Sequence, residues 1–89
     1  MINAIVFINA EVSSIPEVAE RIADISGVTE VYSVTGSVDL IAMVRVQQVD
    51  QVAEVVADQV NKVPGVVDTQ THIAFRTFSR HDLEAAFSL

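Results

Sequence analysis

Two segments of this chain are apolar on both of their alternating sets of positions, which limits what the chain can become. Residues 2–8 read Ile-Asn-Ala-Ile-Val-Phe-Ile, and residues 38–46 read Val-Asp-Leu-Ile-Ala-Met-Val-Arg-Val. Both are short and rich in β-branched residues, which predicts strands rather than helices. Side chains along a strand alternate between faces. Ala4, Val6 and Ile8 therefore share one face of the first strand, and Ile5 and Phe7 share the other. In the second, Leu40, Ala42 and Val44 oppose Ile41 and Met43. An antiparallel sheet in a monomer commonly turns a polar second face to water. Here the second face carries Ile5, Phe7, Ile41 and Met43, and a contiguous apolar patch of that kind marks an interface. The expectation is a homo-oligomer, at least a dimer, joined through these four side chains. The competing reading is that Leu83 and Phe87 of the C-terminal tail cover part of the face.

The segments between are helical. Ser14 stands as an N-cap with Glu17 at capping-box spacing and Pro16 in the first turn. Ile15, Val18, Ala19, Ile22 and Ile25 follow at helical spacing, and Gly27 is placed as the C′ residue. Residues 28–34 alternate as a strand, Thr35-Gly36-Ser37 breaks it, and the strand over 38–46 returns, which predicts a hairpin. Asp50 is a cap for a second helix whose buried stripe is Val52, Val55, Val56, Val60 and Val63. So much valine lowers helix propensity, but the 3.6-residue period holds until Pro64-Gly65. A last strand covers 66–78. Leu83, Ala86 and Phe87 suggest a short amphipathic C-terminal helix or turn. The order β-α-β-β-α-β is the split βαβ, ferredoxin-like pattern: an α+β sandwich, an antiparallel four-stranded sheet with two helices on one face. Ser26-Gly27-Val28 and Pro64-Gly65-Val66 each join a helix to a strand, a faint internal repeat. One domain over 1–79 and a tail over 80–89 are expected.

Composition excludes several functions. Eighty-nine residues leave room for one small domain. Twelve acidic against five basic residues give a net charge of −7. Nucleic-acid binding relies on basic residues that neutralise phosphates, so direct contact with DNA or RNA is not expected, nor attachment to an anionic membrane. No stretch approaches the roughly 20 apolar residues of a membrane helix, and residues 1–10 lack the features of a signal peptide. The chain reads as soluble and cytoplasmic. It has no cysteine, which removes disulfides, thiolate metal sites and a cysteine nucleophile. Oligomerisation remains the common way for so small a domain to gain stability.

Candidate chemistry is sparse. His72 and His81 have no ligand partners at metal spacing apart from Asp82 beside His81, so no metal or cofactor is expected. The three glycines form no phosphate loop, and the serines and threonines form no recognisable triad. The 35–39 turn, Thr-Gly-Ser-Val-Asp, is more informative. Gly36 can adopt positive φ and let a ligand approach the backbone. Asp39 is placed either to receive an α-amino group or to cap the turn's own N–H groups, and spacing alone favours the cap. Tyr32, just before the turn, either packs at a subunit boundary or roofs a small pocket.

The run Val31-Tyr32-Ser33-Val34-Thr35-Gly36-Ser37-Val38-Asp39-Leu40 resembles the signature hairpin of the effector-sensing RAM domain of Lrp/AsnC transcriptional regulators. Val63-Pro64-Gly65-Val66 and Thr69-Gln70-Thr71 follow in that family's order, and the resemblance covers nearly the whole chain. It implies dimers formed by face-to-face sheets, assembly into rings, and small amino-acid effectors bound between dimers near the Gly-x-x-Asp turn. On this sequence the implied effector residues are Thr35, Gly36, Ser37 and Asp39, joined by Tyr32, Thr69 and Thr71. The family's helix-turn-helix domain has no room here, so the resemblance implies a stand-alone module, possible partners being full-length regulators of the family. Two rival readings stay open: a cofactor-free oxygenase-like enzyme of the dimeric α/β-barrel type using His72 or Tyr32, and a purely structural assembly subunit.

Overall fold

The computed structural model describes residues 1–80. Strand β1 (Ile2–Ala10) leads through a 3-10 turn (Val12–Ser14) into helix α1 (Ile15–Ala23). Strands β2 (Val28–Ser33) and β3 (Leu40–Val46) form the hairpin, and helix α2 (Val49–Val56), a 3-10 turn (Val60–Lys62) and strand β4 (Val66–Ala74) complete the order. The sheet runs β2-β3-β1-β4 with every neighbouring pair antiparallel. This is the ferredoxin-like arrangement, with the two doubly apolar strands in the centre.

The register pairs Val6 with Ala42, Ala4 with Val44 and Ile8 with Leu40. All six side chains are sealed from solvent on the face that the helices cover, where Val18 and Ile22 of α1 and Val52, Val55 and Val56 of α2 meet them. Among the described residues no polar or charged residue is buried. The core is aliphatic throughout, set by strand alternation on one side and helical spacing on the other.

The internal repeat is physical. In each half a β-turn joins helix to strand, closed by Val28 N–H to Ile25 O at 3.0 Å and by Val66 N–H to Val63 O at 3.1 Å. The glycine carbonyl of each turn accepts one further bond, Gly27 from Arg45 N–H and Gly65 from Glu11 N–H, both at 2.8 Å. Gly65 also lies against α1: a Cβ there would come within 2.8 Å of Val18 Cγ2. The turn after α2 thus closes on the helix of the opposite half.

Several boundaries differ from the sequence reading. Ser14 does sit at the N-cap of α1, but its side chain makes no cap bond: its backbone (φ −122°, ψ 7°) is not in the extended conformation a cap adopts, and Pro16 offers no N–H. The capping box belongs to α2 instead. Gln48, not Asp50, is its N-cap, exchanging bonds with Gln51, while Asp50 lies in the first turn where its charge suits the helix dipole. α1 ends at Ala23 with Asp24 as its C-cap, so Gly27 serves the β-turn and not the helix end. α2 stops at Val56. Val60 stays buried in the 3-10 turn, and Val63 is extended (φ −68°, ψ 126°), as the residue before a proline prefers. β4 ends at Ala74, whose pairing with Asn3 is its last with β1. β3 begins at Leu40 rather than Val38, since Asp39 is held in the hairpin turn. The expected contributions of His81, Asp82, Leu83, Ala86 and Phe87 lie outside the described residues.

Candidate effector site and assembly face

The open face of the sheet follows from the same register. Phe7 is opposite Ile41 and Ile5 opposite Met43, a compact apolar square in the middle of the two central strands. All four are half-buried in the single chain. Polar groups flank the square on both sides. On β2, Tyr32 lies opposite Ile41 and Glu30 opposite Met43. On β4, Gln70 lies opposite Phe7 and His72 opposite Ile5. The His72 ring meets Phe7 edge-on, with centroids 5.2 Å apart and planes at 73°. An apolar centre with a polar rim is the anatomy of a protein interface.

Tyr32 lies on this face, 47% exposed, and its hydroxyl donates to the Glu30 carboxylate. That bond holds the phenol proton in place and raises the Tyr32 pKa above its usual value, with smaller contributions from partial desolvation and the Glu30 charge. Tyr32 therefore sits on the rim of the open sheet face, separated from the 35–39 turn by Ser33 and Val34.

The turn itself is open. Thr35, Gly36 and Ser37 are exposed. Gly36 has φ 114°, and a Cβ there would touch nothing within 4 Å. Its glycine answers a backbone requirement rather than a packing one, since L side chains rarely adopt that φ. Asp39 is tied into the fold: its Oδ2 accepts the Ala10 N–H at 2.9 Å, its own N–H donates to Ile8 O at 3.0 Å, and its carbonyl accepts Val34 N–H at 3.1 Å. The side chain therefore does not cap the turn's own N–H groups. It satisfies a donor at the end of β1, where the pairing with β4 slips between Asn9 and Ala10. A bulge frees a backbone group from its ladder partner, and Asp39 takes it up.

A depression of about 350 Å³ lies at this end of the open face, lined by Phe7, Asn9, Val38, Asp68, Thr69 and Gln70. Val38 brings the turn to it; Thr69 borders it, but its side chain shares the helix side with its register partner Ile8. The Thr69 hydroxyl donates to Asn61 Oδ1 at 2.6 Å. Thr71 is elsewhere, lining an apolar groove between β4 and α2. Three polar residues of the depression escaped the sequence reading: Asn9, Asp68 and Gln70. Asn9 Nδ2 donates to Asp68 Oδ1 at 3.0 Å across the β1–β4 pair. The available signals were an Asn ending an apolar strand and an Asp directly before Thr69-Gln70-Thr71. Among the described residues no cluster of three or more acidic or histidine side chains forms a metal site. No helix among them is long and apolar enough to cross a membrane.

Fold and surface define a ferredoxin-like domain with a closed aliphatic core, an apolar open sheet face and a polar depression beside a Gly-x-x-Asp turn. The chain belongs to the Lrp/AsnC ligand-binding domain family, whose model matches residues 3–83. A relative is an HTH-type transcriptional regulator, itself uncharacterized, of Pyrococcus horikoshii, 41% identical over 61 residues, which are 68% of this chain and 41% of that protein. The chain thus spans less than half the length of the curated relatives it matches. Among solved structures, TTHA0845 from Thermus thermophilus superposes with a TM-score of 0.85 at 40% identity, covering 90% of this chain and 100% of that one. A transcriptional regulator of Neisseria meningitidis, solved as a complex with L-Met, shares the fold alone: TM-score 0.80 at 15% identity, over 89% of this chain and 53% of that one.

Proposed function

We propose that this protein is a non-enzymatic, oligomeric sensor of a small amino acid, working beside full-length regulators of its family by mixed assembly. The observation that carries the reading is the depression of the open face, where Asn9, Asp68 and Gln70 lie beside Val38 of the 35–39 turn in a chain of the ligand-binding family. Among the described residues no buried side-chain polar atom lacks a hydrogen-bond partner, so the polar groups available to a ligand are at the surface. A site of that kind is completed from outside, by a neighbouring subunit that meets the 35–39 turn. The exposed N–H groups of the turn receive the ligand carboxylate. The ammonium pairs with a carboxylate, a charge-assisted bond stronger than a neutral one. Asp39 contributes through the oxygen that Ala10 does not use, and Asp68 stands on the wall of the depression. The regulator found as an L-Met complex supports an amino acid as the ligand class. The net charge of −7 supports action without direct DNA contact.

A thermal-shift screen of the twenty amino acids tests the reading, followed by calorimetric titration. A true effector at ~100 times its Kd adds about 2.7 kcal/mol to the native state. One amino acid or a chemically related group should raise the melting temperature. Twenty flat responses at millimolar ligand would remove the sensing function.

A further inference from the structure

The helices cover the sheet unevenly. α1 packs over β2 and β3, and α2 chiefly over β3 and β1. The 3-10 turn Val60–Lys62 reaches the early part of β4, where Thr69 bonds to Asn61. Further along, the helix side of β4 opens: Ile73 is paired with the fully buried Ala4, yet it is itself 41% exposed. Thr71 and Ile73 form one wall of an apolar groove of about 270 Å³, and Val49, Val52, Ala53 and Val56 of α2 form the other. Three carboxylates run beside it. Val49, Ala53 and Ala57 line the groove at intervals of four, and each is followed directly by an exposed acid: Asp50, Glu54 and Asp58. Residues four apart on a helix are neighbours on its surface, so the acids form a stripe parallel to the groove. Asp50 and Glu54 both lie within α2, and like charges at that spacing destabilise a helix. A cation brought to the groove's rim relieves that repulsion.

We propose that this groove docks an amphipathic helix of a different protein, apolar on one side and rich in Lys or Arg on the adjoining side. Recognition of a helix in a groove reads apolar anchors at i, i+3 or i+4, and i+7. The α2 wall runs from Val49 to Ala57, about 12 Å or two turns, which matches three such anchors. The basic side of the incoming helix then meets the stripe of Asp50, Glu54 and Asp58. Charge selects this occupant over those the chain itself offers. Residues 81–89 contain Asp82 and Glu84 and neither Lys nor Arg, and a second copy brings a net charge of −7 to a surface that is already acidic. A cationic partner is instead steered towards that surface. The groove is on the helix side of the sheet and the depression is on the open face. Docking and amino-acid sensing are therefore separate properties, and the failure of one leaves the other standing.

The test titrates the full chain into labelled synthetic helices of about 15 residues, read by fluorescence anisotropy. One helix carries Leu anchors and a Lys side, a second the same anchors and a Glu side, and a third the Lys side with Ser in place of Leu. The first should bind at least about tenfold tighter than either of the others. Glu54→Lys and Ile73→Ser should each weaken it about tenfold, and Glu54→Lys should improve binding of the Glu-sided helix. Glu20→Lys makes the same change of charge on α1 and should leave the affinity nearly unchanged. All three side chains are exposed, so the variants keep the fold, which thermal melting checks. Equal binding of the three helices overturns the proposal, as does an equal loss in Glu20→Lys, which would reduce the effect to overall charge. A changed sedimenting mass of Ile73→Ser or Glu54→Lys without peptide gives the groove to a second copy. Tighter peptide binding by Leu83→Ser or Phe87→Ser gives it to residues 81–89. Either result also overturns the proposal.

Discussion

The two faces of the central strands are built from alternate residues of the same segments, yet only one is closed within the chain. On the helix side, Ile8 and Leu40 are wholly buried beneath α1 and α2. On the other side, Ile5, Phe7, Ile41 and Met43 form an equally apolar square that nothing among the described residues covers completely. The difference separates stability from assembly. The closed face holds the domain together. The open face is stable enough to stand beside water in one chain, flanked by Tyr32, Glu30, Gln70 and His72, and gains from burial only when another surface arrives. A substitution on each face should therefore register in a different measurement.

The largest effect on folding belongs to the closed face. Leu40→Ala removes a fully buried side chain and leaves a cavity, which costs about 2–5 kcal/mol. Chemical denaturation should show it as a lowered midpoint with an unchanged slope. Ile41→Lys, one residue further on, should do the reverse. Its side chain points to the open face, so the single chain retains its fold, while self-association weakens at least 100-fold (about 2.7 kcal/mol), since a buried charge would lack a partner. Sedimentation velocity reads this loss. A folded Ile41→Lys protein that assembles like wild type would break the contrast between the faces.

The two aspartates near the turn sharpen it on a smaller scale. Asp39→Ala removes the acceptor of the Ala10 N–H at the β1 bulge, and should cost about 1–3 kcal/mol of stability. Asp39→Asn, which keeps an acceptor, should cost less. Asp68→Asn should leave the melting temperature nearly unchanged and lower affinity for the amino acid identified by screening about tenfold (~1.4 kcal/mol), measured by calorimetry. If Asp39→Asn loses the affinity and Asp68→Asn keeps it, the assignments of the two carboxylates must be exchanged.

These two residues also show what the sequence reveals and what it withholds. Strand alternation and helical spacing are local properties, so the element order, the inward faces and the open square of Ile5, Phe7, Ile41 and Met43 are legible directly. The partner of Asp39 is not, because Ala10 lies 29 residues away and its N–H becomes available only where β1 and β4 slip register. Asp68 escaped for a related reason: its place on the depression depends on Asn9, across a strand pair 59 residues apart in sequence. Gln48 as the cap of α2 was hidden by chemistry, since short side chains are the usual caps and Gln is not among them.

The smallest effect concerns the rim. Tyr32 is the only tyrosine, so a spectrophotometric titration reports it alone. Its midpoint should lie above 10.0, because the Glu30 carboxylate holds the phenol proton. Glu30→Gln should bring the midpoint down. A folded-state pKa raised in this way contributes its stability below the unfolded value and loses it as pH rises through the folded one. Tyr32→Phe should therefore alter stability only slightly, and less at strongly alkaline pH than at neutrality.

The assembly role proposed for the open face requires a second copy to cover it. Sedimentation equilibrium of the wild-type chain at micromolar concentration tests that most directly. A protomer weighs 9.6 kDa; the expected mass is at least twice that, falling towards the protomer mass in Ile41→Lys. A wild-type protein that sediments at the protomer mass, with no concentration dependence, would contradict the account.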